Sequence, residues 1–369
     1  MEKIRFDDFI KLNRGFDLPD SQIKNGAYPV VASTNVKAYH SEYRVNGPMV
    51  VTGRSGSLGF VQFVDGKCWP LNTTLYVKDF KGNYPRYVYY FLKTMHLEQY
   101  NAGAGVPTLN QNHLHSLKIE IHEKGHQCRI ASILSAYDNL IENNNRRIRL
   151  LEQMAENLYK EWFAYHHIVE SSKEIRLTDI VSIHRGLSYS SEEIECEEGN
   201  DLINLKNIQA FGGFRLEGTK KYNGKYKAEQ VVKEGDLVMG VTDMTQDRRT
   251  VGSVALIPNI SNLSVISADL IKLESTIDNV FLYAMFRWGK VSKYISQFAN
   301  GANVLHLRPQ ILKNIKVLLP KKELIDQYVS TVKPMIETIN KLNTETANLT
   351  RQRDLLLPRL MSGKLEVNA

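Results

Sequence analysis

Cysteine is scarce in this chain. Cys68, Cys128 and Cys196 are the three among 369 residues, and they stand far apart with no metal or redox spacing. Such spacing argues against a disulfide framework and leads us to expect free thiols in a reducing, cytosolic setting. Long apolar runs are missing as well. No eighteen consecutive apolar residues occur, so no transmembrane helix is expected. The opening MEKIRFDDFIKLN is charged and lacks the apolar stretch of a secretory signal. Catalytic signatures are also absent. There is no GxxxxGK[ST] phosphate loop, no GxGxxG after a strand and no GxSxG elbow. The Asn/Asp-Pro-Pro-aromatic run expected of amino-methyltransferases acting on DNA does not occur either. These absences disfavour a stand-alone enzyme.

One constellation invites a metal: His113, His115, His122, His126 and Cys128. No CxxC accompanies it. His113 and His115 are expected to flank a short strand, with His122 and His126 at the start of a helix. The group is read as surface and loop histidines, with no metal site. Asp7 and Asp8 read as a charged helix start. The net charge of +7 suits an anionic partner without proving one. Residues 1–122 carry 14 basic and 10 acidic side chains, and residues 173–320 carry 19 and 17. Several of the latter acids sit in one run, Glu192-Glu193-Ile194-Glu195-Cys196-Glu197-Glu198, so the rest of that segment can form a basic face.

Two stretches dominate the pattern. In residues 123–165, Ile130, Leu134, Tyr137, Ile141, Asn144, Ile148, Leu151, Ala155, Leu158 and Trp162 alternate steps of four and three. This is a heptad seam over roughly 48 Å of helix. Asn144 is its one polar member, a residue type that fixes register at a cost in stability. Residues 321–361 carry a second seam through Ile325, Val329, Val332, Ile336 and Ile339, continuing after a stutter through Leu342, Thr346, Leu349, Arg353, Leu356 and Leu360. Pro334 is expected to delay or kink this helix, and Pro358 with Gly363 to stop it.

The segments between the seams repeat one another. IRFDDFIKLNRG (4–15) matches IRLTDIVSIHRG (175–186) at an offset of 171. GPMVVTGRSG (47–56) resembles GDLVMGVTDM (235–244), and GAGVPTLNQNHLHSLKI (103–119) matches GANVLHLRPQILKNIKV (301–317) at an offset of 198. Short β-branched and aromatic runs at 28–31, 48–53, 58–64 and 71–78 predict strands, and 85–100 predicts a helix. Residues 166–173 are polar and read as a joint. The order is domain, long helix, domain, long helix.

Each repeat offers polar loops. The first has Thr52-Gly53-Arg54-Ser55-Gly56-Ser57-Leu58-Gly59 and Thr108–Asn112, and the second Val241–Arg249 and Asn303–Arg308. Glycine lets a backbone approach phosphate closely, while Arg can lie on guanine and Asn or Gln on adenine. Candidate DNA-binding residues are Arg14, Arg54, Ser55, Ser57, Asn110, Gln111 and Asn112 in the first repeat. In the second they are Arg185, Gln246, Arg248, Arg249, Asn303 and Arg308.

Four features together resemble the specificity (S) subunits of type I restriction-modification systems, across essentially the whole chain. They are the loop Gly53–Gly59, the run LLEQMAENLYKEWF (150–163), the Gly-Ala-x-Val loops at 103 and 301, and the ending RDLLLPRLMSG (353–363). The second repeat departs in having VTDMTQDRRTVG where the first has its glycine loop. The resemblance implies an α+β fold: two mixed α/β target-recognition domains separated by two long helices pairing as an antiparallel coiled coil, with a pseudo-two-fold internal repeat. Expected boundaries are 1–122, 123–168, 169–320 and 321–369. Pairing is expected through Ile130, Leu134, Tyr137, Ile141, Asn144, Ile148, Leu151 and Leu158 on one helix. On the other it is expected through Val329, Val332, Ile336, Ile339, Leu349 and Leu356. The implied partners are double-stranded DNA with a bipartite site, two methyltransferase (M) subunits and restriction (R) subunits. S-adenosylmethionine, ATP and magnesium would belong to those partners. The chain itself would be no enzyme and would hold no cofactor. The competing readings are a stand-alone enzyme, disfavoured by the missing signatures, and a coiled-coil adaptor that binds protein alone.

Overall fold

The computed structural model describes residues 1–164, 172–194 and 197–367. The expected joint at 166–173 falls mostly outside them, as do the 168/169 boundary and two members of the acidic run, Glu195 and Cys196. Two compact units are present: Met1–Ile141 with Asn348–Ala369, and Glu142–Ala347. Among the described residues no helix is long and apolar enough to cross a membrane.

The first unit begins with β1 (Glu2–Arg5), a single helical turn α1 (Phe6–Phe9) and β2 (Lys11–Arg14). Then come β3 (Tyr28–Val31), β4 (Val36–His40), β5 (Met49–Gly53), β6 (Val61–Val64), β7 (Trp69–Pro70) and β8 (Thr74–Asp79). Helix α2 (Pro85–Thr94), helix α3 (Gln111–Ser116) and β9 (Lys118–Ile121) lead into α4 (Lys124–Tyr159). The main sheet has the order β2-β8-β5-β6, all antiparallel. A second sheet has the order β4-β3-β7, and β1 and β9 form a separate two-stranded ladder. Pro85 starts α2 with its φ already set and no donor to lose. Tyr87, Val88, Tyr90, Phe91 and Leu92 of α2 are buried with Phe6, Phe9 and Leu12. Into the same core enter Ile130, Ala131 and Leu134 of α4 and Leu357, Leu360 and Met361 from the chain's last helix.

The second unit is built on the same plan. Its strands are β10 (Lys173–Arg176), β11 (Val181–Arg185), β12 (Asn200–Ile203), β13 (Lys220–Tyr222), β14 (Val231–Val232), β15 (Leu237–Gly240), β16 (Thr242–Asp243), β17 (Val254–Leu256), β18 (Ser264–Ile266) and β19 (Leu270–Ser275). Helices α5 (Asn279–Arg287) and α6 (Val291–Ser296) follow, then β20 (Leu305–His306), β21 (Lys316–Leu319) and α7 (Lys322–Met361). The main sheet is β11-β19-β15-β17, the same topological order as β2-β8-β5-β6. The ladder β10-β21 corresponds to β1-β9. Strand β12 pairs antiparallel with β13 and parallel with β18, as β3 pairs with β4 and β7. The extra strand β14 is added on β18. Ala155 and Tyr159 of α4 and Ile325, Tyr328 and Val332 of α7 are buried in one core with Phe281 and Phe286 of α5.

Several expectations are corrected. Proline does not delay or break the last helix: α7 runs unbroken through Pro334 and Pro358. It ends only at Met361, and Gly363 follows in the left-handed region at φ 70°. A helix of 40 residues loses one backbone bond at each proline and keeps the rest of its ladder and its packing. His113 and His115 precede the short strand β9, but they lie on a helix, α3, where surface and loop histidines were expected. His115 is buried and accepts the Leu12 N–H at 3.0 Å. The predicted helix at 85–100 is divided, because His96 takes a left-handed conformation (φ 50°) and a 3₁₀ turn covers Leu97–Tyr100. Along the seams, Ile130, Leu134, Asn144, Val332 and Ile339 are buried. Tyr137, Ile141, Ile148, Leu151, Leu158, Val329, Ile336, Leu349 and Leu356 are half-buried. Tyr159, Tyr328 and Leu357, one position off the seams, are buried as well.

Candidate nucleic-acid interface

The strand register sets the first unit's site. Arg14, the last residue of β2, lies opposite Leu75 of β8, and Gly53, the last residue of β5, lies opposite Thr74. The order β2-β8-β5 therefore brings Arg14 and Arg54 to the same end of the sheet. The two polar loops are tied there by backbone bonds. Leu109 donates to the Arg54 carbonyl at 2.8 Å, and Gly56 donates to Pro107 at 2.9 Å. The Arg54 Nε donates to the Asn72 carbonyl at 3.0 Å, which holds the guanidinium at the rim. A groove of about 510 Å³ opens between the loops, lined by Arg14, Arg54, Gly103, Thr108, Asn110 and Gln111.

Within this set, roles separate. The Asn110 side chain accepts from the Asn112 N–H at 2.9 Å, capping α3. Asn101 Oδ1 accepts from both Gly103 and Thr108, at 2.9 Å each, and so shapes the loop. Gln111 Oε1 is buried without a hydrogen-bond partner among the described residues. Arg14, Arg54 and Gln111 line the groove with polar groups that do not shape the loops. Ser55, Ser57 and Asn112 do not line the groove, and Ser57 and Asn112 are exposed beside it.

The second unit repeats the arrangement. Leu307 donates to the Val241 carbonyl at 2.8 Å, and β16 pairs with β20. Gly103 and Gly301 serve one purpose: a Cβ at either would meet the carbonyl oxygen three residues on, at 2.1 and 1.9 Å. What replaces the glycine loop is a buried carboxylate. Asp243 accepts from the N–H groups of Thr245 (2.8 Å), Thr250 (2.6 Å) and Val251 (3.3 Å) and from the Thr245 hydroxyl (2.8 Å). Burial works to raise its pKa, but the bonds from Thr250 and Thr245 prevail and hold it below the ordinary carboxylate value.

The predicted residues of this unit are less concentrated. Gln246 Nε2 donates to the Ala302 carbonyl at 2.9 Å, bracing one loop on the other. Arg249 is paired with Asp247 at 2.6 Å. Arg185, Asn303 and Arg308 are exposed. Of the predicted residues, Arg248 alone lines a loop-side cavity of about 440 Å³ in this unit. Its walls also include Phe211, Lys290, Lys293 and Gln297, none anticipated from sequence. They lie 37 to 49 residues from Arg248 in the chain, on segments with no polar-loop signature, so no local pattern marked them.

Comparison with known proteins places this geometry. The family model for the type I restriction modification DNA specificity domain matches residues 1–153 and 170–351. The MjaVIII type I restriction enzyme specificity subunit of Methanocaldococcus jannaschii is 25% identical, over 99% of this chain and 93% of its own. The HindI specificity subunit of Haemophilus influenzae is 22% identical, over 70% of this chain and 71% of its own. The crystal structure of a type I restriction-modification S subunit from M. genitalium superposes with a TM-score of 0.71 at 17% identity, covering 100% of this chain and 96% of that one. With two matched domains spanning most of its length, the chain belongs to the specificity subunits of type I restriction-modification systems.

Proposed function

We propose that each unit reads one half of a bipartite site on double-stranded DNA, while the two long helices set the gap between the halves. As a specificity subunit the chain is non-catalytic and supplies sequence recognition. The observation carrying the two-reader assignment is the repeated topology: in each unit, the same four-strand order ends in a pair of loops bonded together beside a cavity with polar walls. In the first unit, Arg14, Arg54 and Gln111 take the direct contacts, and Asn110 holds the loop in shape. In the second, Arg248 contacts DNA while Gln246 braces the loops. Arg185, Asn303 and Arg308 are free to reach the backbone.

In this proposal α4 and α7 pair as an antiparallel coiled coil about an internal pseudo-two-fold axis, with recognition domains at 1–122 and 169–320. Helices of 36 and 40 residues extend roughly 54 and 60 Å. That exceeds one turn of B-DNA, about 34–36 Å, and leaves room for two readers on one duplex. Two methyltransferase subunits dock on the helices and restriction subunits join them, supplying S-adenosylmethionine-, ATP- and magnesium-dependent chemistry in the cytoplasm.

The test is a methylation map. The chain is co-expressed with its methyltransferase subunit in a methylation-free host, and modified bases are read by single-molecule sequencing. A split motif with a fixed gap is expected. A continuous motif would leave one unit reading DNA, and an assembled complex that methylates nothing would favour a protein-binding adaptor.

A further inference from the structure

The cavity of the second unit carries more positive charge than the recognition loop alone supplies. Arg248 stands on the loop, while Lys290 and Lys293 come from the start of α6. Among the described residues none of these three is in an ion pair. Arg287, on the same wall, is already bonded to Glu152 at 2.9 Å. Asp247, the acid in the lining, is paired with Arg249. The free charge of the cavity is thus cationic. Lys290 sits in the left-handed region at φ 65°, where the chain turns from α5 into α6. The corresponding turn of the first unit is built differently: His96 (φ 50°) lies 3.4 Å from Glu98 there, and the local charge is not cationic.

An aromatic ring stands at the edge of this cavity. Phe211 is 66% exposed and holds a left-handed backbone (φ 64°), a conformation costly for a bulky side chain. Its N–H donates to the Arg249 carbonyl at 2.7 Å, so the recognition loop itself fixes its place. A strained, exposed phenyl beside three unpaired cations matches the chemistry of a sugar-phosphate chain, in which anionic oxygens alternate with apolar deoxyribose faces.

We infer that the cavity lined by Phe211, Arg248, Lys290 and Lys293 is a backbone-holding surface of the second unit: Lys290, Lys293 and Arg248 take phosphates, and Phe211 packs on deoxyribose. The inference rests on the DNA-reading function proposed above and adds residues that position the duplex without reading its sequence. It also makes the two units unequal, with the second supplying more of the salt-dependent affinity.

The test uses the full chain assembled with its methyltransferase subunit. Affinity is measured from 50 to 200 mM KCl on a duplex bearing the mapped motif and on one with the second half-site scrambled. Lys290→Ala/Lys293→Ala is expected to weaken both duplexes by the same factor and to lower the slope of log K against log salt by about two, near 0.9 per phosphate contact. The methylated motif stays as in wild type. Lys3→Ala/Lys118→Ala, exposed lysines of the first unit, serves as the charge-matched control and keeps the wild-type slope. Phe211→Ala is expected to weaken binding at every salt concentration with no change of slope. A wild-type slope for the Lys290/Lys293 variant, or one equal to that of the control, would overturn the phosphate assignment. Wild-type affinity for Phe211→Ala would overturn the role of the ring. Failure of the underlying reading looks different: the wild-type complex would then not distinguish the two duplexes at all.

Discussion

Arg353 of α7 and Asp138 of α4 form an ion pair at 2.7 Å in the first unit, with both side chains about four-fifths shielded from solvent. Tyr90 of α2 donates to the other carboxylate oxygen at 2.5 Å, so one acid joins three helices. Burial, reinforced by the adjacent Asp138, pushes the Tyr90 phenol far above its usual pKa and keeps it a donor. Asp138→Ala and Arg353→Ala are each expected to lower stability. Their double-mutant cycle should show a coupling of about 1–3 kcal/mol, measured by urea unfolding. A coupling indistinguishable from zero would reduce the pair to a solvated surface contact.

Arg54 is expected to act on one half-site alone. Arg54→Ala should leave the complex assembled and relax or abolish recognition in one half of the methylated motif, a loss of about 1–3 kcal/mol for a bidentate base contact. The methylation map of the variant reads this directly. Equal loss at both halves, or none, would remove Arg54 from the reading role.

Asp243 makes the Val241–Arg249 loop sensitive to acid. Its folded pKa lies below the unfolded value, so its contribution is complete above about pH 4 and is lost as pH falls through the folded pKa. Asp243→Asn is expected to destabilise the second unit by about 1–3 kcal/mol at pH 7. The gap between variant and wild type should narrow below about pH 4, as thermal melts across pH would show. A gap constant across that range would mean that the carboxylate charge does not hold the loop.

Asn144 is buried in the second unit at 3% exposure, and its Nδ2 has no hydrogen-bond partner among the described residues. An orphaned buried donor costs about 1–3 kcal/mol. Asn144→Leu is therefore expected to raise the melting temperature by a few degrees, roughly 2–4 °C per kcal/mol for a unit of this size. A lower melting temperature would show that the amide has a stabilising partner in solution.

Periodic signals were legible because they are local. The four-three steps from Ile130 to Trp162 marked one long helix, and the matches at offsets of 171 and 198 marked a duplicated plan. Burial along those helices was only partly legible. Tyr159, Tyr328 and Leu357 lie off the seams, yet they are buried because each end of a helix packs into a globular core as well as near another helix. Proline was misread for a related reason: Pro334 and Pro358 weaken an isolated helix, and α7 is not isolated.

By itself, the sequence determined the duplicated order of domain and helix, the family and the glycine-bearing loops, since repeats, heptads and tight turns are written in short-range spacing. Tertiary structure alone decided which side chains meet. Strand register brought Arg14 and Arg54 to one end of a sheet, and folding brought Phe211, Lys290 and Lys293 around Arg248. Such meetings depend on pairing between residues far apart in the chain, and no local spacing encodes them.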